Sequence, residues 1–217
     1  MALKAIILNC TLKKSPTVSN TDALIQKVVG HLQQREVESE VIRVVDYQIP
    51  FGVSSDEGAG DEWPGIYEKI KQSNILVIAS PIWFGVRASV TQMVMERLDG
   101  SYSDADPETG RYPLYGKVAG VIITGNEDGA HNVAAHTLYN LTHLGCTVPP
   151  NADCYWVGEA GPGPSYIEAG GDKHLYTNRT ARYLAENVTQ MARLLEAQPL
   201  TTNLKELDKL AKAESDD

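Results

Sequence analysis

Residues Ile75–Gly85 read ILVIASPIWFG, and the two halves of this stretch make opposite demands. The run ILVIA is apolar at every position, which suits a strand covered on both faces rather than one with a wet side. The segment SPIWFG that follows places Pro81, Ile82, Trp83, Phe84 and Gly85 where that strand ends. Pro81 has no N–H to give to a ladder, so the chain is expected to turn out here, presenting the aromatics while Gly85 lets backbone approach a ligand. An aromatic face against a flat ring gains about 0.5–1.5 kcal/mol beyond area burial. Trp83 and Phe84 have an equally physical alternative, as local core or as a contact with another subunit.

Similar β-branched runs recur at Ala5–Leu8, Val41–Val45 and Val118–Thr124, and a further strand is expected within Thr147–Val157. Pro149 and Pro150 restrict the start of the last one, leaving Asp153–Val157 as its paired part. Between the runs lie amphipathic stretches of helical length: Thr21–Gln34, Pro64–Gln72, Ser89–Leu98 and Ala130–Leu144. A long helix is expected over Thr177–Ala197, ending before Pro199. Strand and helix alternation with right-handed crossovers predicts a doubly wound three-layer α/β fold, in which ligands bind at the carboxyl ends of the strands. Residues 1–198 form the expected domain. The tail 199–217 carries Leu204, Leu207 and Leu210 at helical spacing and reads as a helical arm against this or a neighbouring subunit, its final ESDD frayed. The acid- and glycine-rich connection Asp46–Asp61 reads as a surface loop.

With 217 residues, a net charge of −9 and a pI near 5.0, the chain is acidic and would be repelled by phosphate backbones and anionic membranes, so neither nucleic acid nor a membrane is an expected partner. Cys10, Cys146 and Cys154 make an odd set without CxxC spacing, which argues against a disulfide framework and a thiolate metal site. No secretory signal and no apolar run of spanning length are legible, and the cytoplasm is the expected location.

Three loops at strand ends carry the candidate chemistry. NCTLKKSPTVSNTDALI, residues 9–25, offers the hydroxyls of Thr11, Ser15, Thr17, Ser19 and Thr21, the cations Lys13 and Lys14, and then a helix start. Free N–H groups and the helix dipole favour an anion there. Ser19 or Asn20 is at the same time an ordinary helix cap. The phosphate loop GxxxxGK[ST] is absent. SPIWFG is the second loop. The third, TGNEDGAHN at residues 124–132, has Gly125 and Gly129 for tight turns and backbone N–H groups able to meet carbonyls and ring nitrogens; Asn126, Glu127 and Asp128 also make a plain capping turn.

Taken together, TLKKSPTVSNT, ASPIWFGVRASVTQMVMERLD and TGNEDGAH resemble the corresponding loops of the flavodoxin-like superfamily, and within it the NAD(P)H-dependent FMN reductases. The resemblance covers about Lys4–Gly158, and SPIWFG with its following helix ending in ERLD is its most specific part. It implies a five-stranded parallel sheet in the order 2-1-3-4-5 with a C-terminal helical extension. It implies FMN, with phosphate at Thr11, Lys13, Ser19, Asn20 and Thr21, the isoalloxazine against Pro81, Ile82, Trp83, Phe84 and Gly85, and Thr124, Gly125, Asn126 and Gly129 along its far edge. NADPH or NADH is the implied cosubstrate, a quinone or flavin the small acceptor, and a homodimer or homotetramer the implied assembly. The flavodoxin phosphate loop T/SxTGxT is missing, which favours a reductase over a pure electron carrier; a non-enzymatic FMN-binding electron-transfer module is the alternative. The cysteine cluster of iron–sulfur relatives has no counterpart between residues 46 and 74.

No side chain must act as acid or base if a flavin carries the reaction. His131 is the nearest candidate for tuning or proton supply, although a histidine just inside a helix start is more often a polar surface residue. His136, Asn140 and His143 share a helical stripe that lacks a third strong ligand, so no metal is expected and the stripe reads as a solvated or subunit-contact face. GEAGPGPSY, residues 158–166, reads either as a lid with Tyr166 stacking or as linker.

Overall fold

The computed structural model describes residues 2–159, 161 and 163–215. The fraying expected for Asp216 and Asp217, and the lid reading where it falls on Ala160 and Pro162, lie outside the described residues. Five parallel strands, β1 (Leu3–Asn9), β2 (Val37–Arg43), β3 (Ile75–Trp83), β5 (Val118–Gly125) and β6 (Asp153–Val157), form a sheet in the order β2-β1-β3-β5-β6; β4 (Val86–Arg87) pairs antiparallel with the end of β3. Counting the parallel strands alone, this is the expected order 2-1-3-4-5. Helices α1 (Asn20–Gln33), α2 (Trp63–Lys71), α3 (Ser89–Asp99), α4 (Ala130–His143) and α5 (Leu175–Ala197) cover the two faces, and α6 (Leu204–Ser215) follows.

Alternation along the strands sends neighbouring residues to opposite sides of the sheet. Ile6, Leu8, Leu76, Ile78, Val121 and Ile123 pack with Trp63, Ile66, Val94, Leu98 and Leu141 from α2, α3 and α4. Ile7, Ile75, Val77 and Ile122 pack with Leu24 and Val28 of α1 and Ala181, Leu184 and Val188 of α5. Both faces are therefore dry, and the apolar runs follow from that.

Two expectations about strands are corrected. The second strand is not Val41–Val45 but Val37–Arg43, and Val44–Asp46 forms a 3₁₀ turn. As the sheet's edge it has a half-wet burial pattern, so its polar residues Glu38, Ser39 and Glu40 belong to it although they break the apolar run. The third strand does not turn out at Pro81. Pro81 stands opposite Thr124 in register and the strand continues to Trp83, where Ile82 and Trp83 pair back with Arg87 and Val86. Pro81 leaves the ladder one donor short but has the extended φ that a strand needs.

The connection between β2 and α2 is mostly exposed, yet a buried arginine ties it down. Arg97 of α3, 0% exposed, donates to Pro50 O and Ser54 O at 3.0 Å each and to Asp61 at 2.5 Å. The C-terminal arm is helical as expected. No described residue of α6 is buried; its first turn is held where Leu204 N donates to Thr109 O at 2.8 Å and Lys205 Nζ to Pro107 O at 2.5 Å.

Candidate functional site

The path of the first loop is set by side chains rather than by glycine. Where β1 ends, Thr11 N donates to Asn9 Oδ1 at 3.1 Å, and Asn9 Nδ2 donates to Asp22 Oδ1 at 3.1 Å, so the asparagine braces the loop against the first turn of α1. Arg43, at the end of β2, donates to Thr17 O at 2.9 Å. Asp46 accepts from the amide and hydroxyl of Ser15 at 2.9 and 2.6 Å, which holds its carboxyl below the usual range. Ser19 caps α1 by accepting from Asp22 N at 3.1 Å. Thr21 reaches across to β5, its hydroxyl 2.8 Å from that of Thr124.

A cavity of about 200 Å³ opens between the carboxyl ends of β1, β3 and β5 and the N-terminus of α1. Thr11, Lys13, Asn20 and Thr21 line one part of it, Pro81, Ile82 and Trp83 another, and Thr124, Gly125 and Asn126 a third. All three candidate loops thus meet at one place. Trp83 is about half exposed at the rim (51%), while Gly125 abuts Ile82 so closely that a Cβ would stand 2.8 Å from it.

Four candidate residues do not line the cavity. Ser19 is occupied as the helix cap. Phe84 occupies the tip of the β3–β4 turn with its ring 94% exposed. Gly85 and Gly129 press on each other beside the cavity, a Cβ on Gly129 falling 2.5 Å from Gly85 O. The capping turn is also different: Gly129 is the N-cap of α4 and makes no side-chain cap, Glu127 binds the β3–β4 turn, and Asn126 Nδ2 donates to Gly163 O at 2.9 Å.

Five lining residues were not among the candidates: Leu12, Glu127, Trp156, Ser165 and Tyr166, the last considered only as part of a lid. Trp156 is 5% exposed and faces the α1–α5 side of the sheet from the carboxyl end of β6, with Tyr166 against it edge-on at 5.7 Å. The one signal for Trp156 was its place at the end of the last parallel strand, two residues before a glycine. Tyr166 is 2% exposed, its hydroxyl is buried without a hydrogen-bond partner among the described residues, and burial pushes that hydroxyl up to about 12. The segment that brings Ser165 and Tyr166 over the cavity is pinned at two points, by Asn126 at Gly163 and by Asn20 Oδ1, which accepts from Ile167 N at 2.7 Å.

His131 is exposed; its Nε2 lies 2.9 Å from the Tyr155 hydroxyl, which donates to Tyr176 at 3.3 Å, and it does not line the cavity. His136 and His143 are exposed, Asn140 accepts from Arg87 at 2.6 Å, and among the described residues no cluster of three His, Cys, Asp or Glu has metal-holding geometry.

One end of the cavity thus offers a lysine, three hydroxyl or amide side chains and a helix N-terminus, and the other offers apolar and aromatic walls. That donor set suits an anionic group joined to a flat ring system. Residues 3–160 match the family model of NADPH-dependent FMN reductases. The chain belongs to that family. FMN is accordingly its cofactor, and the donor set fits a flavin nucleotide.

Within and beyond the FMN reductase family, three similarities stand out. The chain is 45% identical over 226 residues, 100% of its length and 88% of the relative's, to 8-demethyl-8-aminoriboflavin-5′-phosphate synthase of Streptomyces davaonensis. It superposes on the crystal structure of RosB with a bound intermediate, 8-demethyl-8-formylriboflavin-5′-phosphate, at a TM-score of 0.93 and 44% identity, covering 100% of this chain and 89% of that one. It is also 43% identical over 201 residues to a Mycobacterium bovis protein named divalent metal cation transporter MntH, covering 90% of this chain but 29% of that protein. Among the described residues no helix is long and apolar enough to cross a membrane.

Proposed function

We propose that this FMN reductase family member takes hydride from NAD(P)H through FMN and passes the electrons to a small acceptor such as a quinone or a flavin. The observation that carries the reading is the convergence of three separate loops on one cavity with a cationic, hydroxyl-rich end and an aromatic end. Lys13, with Thr11, Asn20 and Thr21 and the first turn of α1, would hold the phosphate; Ser19 takes the Asp22 amide as helix cap, which leaves the earlier amides of that turn to face the anion. Pro81, Ile82 and Trp83 would wall the isoalloxazine, and Thr124, Gly125 and Asn126 its far edge. The cofactor supplies the hydride and electron chemistry, so the protein's task is to hold the ring, donate hydrogen bonds where negative charge develops and leave one face open. A hydrogen bond between the Thr21 and Thr124 hydroxyls ties the phosphate end of the cavity to the ring end. Trp156 and Tyr166 exclude water from the side facing α5.

A second reading has its own support. The similarity to the Streptomyces synthase and to RosB runs the whole length of this chain and is far above what fold alone requires. In that reading the flavin nucleotide is substrate, and the same cavity binds it for chemistry at its own ring. The experiment that separates the two has two arms on purified protein: anaerobic incubation with FMN and NADPH or NADH, followed by visible spectroscopy, and aerobic incubation with FMN and an amine donor, where dioxygen supplies the oxidant, followed by mass analysis of the released flavin. Bleaching restored by a quinone, with FMN recovered unchanged, supports the reductase; a flavin of altered mass supports the second reading; absence of flavin binding in a fluorescence titration removes both.

A further inference from the structure

The hairpin that carries Trp83 to the cavity is held from outside. β3 and β4 are joined by a two-residue turn in which Phe84 and Gly85 both have positive φ, 51° and 76°. Two-residue hairpin turns with both central residues in this region are of type I′, and a bulky residue such as Phe is strained there. The Phe84 ring is 94% exposed, so no packing of its own holds the turn. The loop between β5 and α4 holds it instead. Glu127 Oε1 accepts from Phe84 N and Glu127 Oε2 from Gly85 N, each at 3.1 Å. Asn132 Nδ2 donates to Gly85 O at 2.9 Å, and Gly129, at φ 123°, lies too near Gly85 to carry a Cβ. A carboxylate that lines a cavity for an anionic ligand is electrostatically adverse unless it is engaged elsewhere; here both its oxygens are engaged by amides.

Resting on the flavin reading above, we propose that Glu127 is a positioning residue: its carboxylate spans the two amides of the Phe84–Gly85 turn and thereby fixes Trp83 as the wall against which the flavin ring lies. Two equivalent acceptor oxygens are what two successive N–H groups require. Glutamine supplies one acceptor and turns an NH₂ toward the second amide, and alanine supplies none. Without the clamp both turn amides lose their side-chain acceptor, and Trp83, half exposed already, loses its fixed place.

The test uses the full-length protein and the variants E127Q, E127A and G129A, the last pushing on the turn while leaving the carboxylate intact. Trp63 and Trp156 are 0% and 5% exposed against 51% for Trp83, so acrylamide quenching of tryptophan emission in the flavin-free protein reports on Trp83. Expected are stronger quenching in E127A and G129A and a dissociation constant for FMN raised about three- to tenfold, the loss of one ring-stacking contact, with E127Q between E127A and wild type. Quenching and FMN affinity both equal to wild type in E127A that is folded by circular dichroism would overturn the proposal. Should E127A fail to fold, E127Q and G129A carry the same comparison, and wild-type quenching and affinity in both would overturn it equally. Wild-type protein that binds no FMN would remove the flavin reading, whereas the quenching data would still decide whether Glu127 holds Trp83.

Discussion

Replacing Arg97 with methionine should destabilise the protein strongly although the residue lies outside the cavity. The guanidinium is fully buried, 2.5 Å from an equally buried Asp61 carboxylate and 5.6 Å from the centre of the Trp63 ring. Breaking such a pair from one side strands a buried charge at a cost of about 3–5 kcal/mol. For a chain of this size that lowers the melting temperature by about 6–20 °C, at 2–4 °C per kcal/mol. The size of the effect can be apportioned. Pro50 O and Ser54 O lose their partners in R97M, and the amides of Glu57 and Trp63 lose theirs once Asp61 is replaced too, at about 1 kcal/mol each, so the double variant D61L/R97M removes the stranded charge but stays about 4 kcal/mol below wild type. The pH dependence follows from Asp61. Burial pushes its carboxyl up, but the Arg97 guanidinium and the amides of Glu57 and Trp63 outweigh that and hold it below the usual range. A depressed carboxyl contributes stability that is present above its unfolded pKa and lost as pH falls through the folded one. The gap between wild type and R97M, measured by urea unfolding, should therefore narrow from pH 7 towards pH 3. An R97M variant, or a D61L/R97M double variant, within about 1 kcal/mol of wild type at pH 7 would refute the reasoning.

Lys13→Ala should weaken FMN about ten- to a hundredfold in a fluorescence titration, one charge-assisted contact, while riboflavin, which lacks the phosphate, binds the variant and the wild type alike. His31, buried on the α1–α5 side, is held below its ordinary value of 6.5 by burial and by Arg182, with Arg35 and Lys27 adding to this against a hydrogen bond to Gln34. Its neutral form belongs to the fold, so stability should decline as pH drops through 6.5, and His31→Gln should flatten that decline between pH 7 and 5 in urea melts. Burial pushes the thiols of Cys10, Cys146 and Cys154 up to about 12, so iodoacetamide at pH 8 should leave the native protein's mass unchanged and add to all three only in denaturant.

What was legible in the sequence was whatever a single element decides. Apolar runs without alternation named the buried strands β1, β3 and β5, and the helix periods followed, because both depend on neighbours a few residues apart. β2 was misplaced because its edge position exposes one side, and no local pattern says which strand is the edge. Three loops were found because their residue types suit the same ligand, and ten of the fourteen candidate residues line the cavity. Except for Leu12, which stands between two candidates, the misses share one cause. Glu127 reads as a turn residue, Trp156 as strand filler and Ser165 as linker until the chain is folded, since each reaches the cavity by a contact with a distant segment. ERLD illustrates the converse: the most specific part of the resemblance contains Arg97, which works on the loop after β2 and not on the cavity.

The segment over Trp156 bears on which of the two functional readings holds. A flavin that serves as resident cofactor can be sealed in, whereas a flavin that is consumed must enter and leave on every turnover. Gly163 and Ile167 are tethered by one hydrogen bond each, to Asn126 at 2.9 Å and to Asn20 at 2.7 Å. Each is worth about 1 kcal/mol net, so detaching both costs about 2 kcal/mol, a barrier small beside a turnover of seconds. Tyr166 and Trp156 would resist opening more strongly, since both are buried and packed edge-on. If FMN is consumed, Tyr166→Ala should speed its release, measured by stopped-flow fluorescence, and raise turnover where release is limiting. If FMN is resident, the same change should loosen the cofactor and lower the rate of acceptor reduction. The direction in which turnover moves thus separates a seal from a gate, independently of what product the enzyme makes.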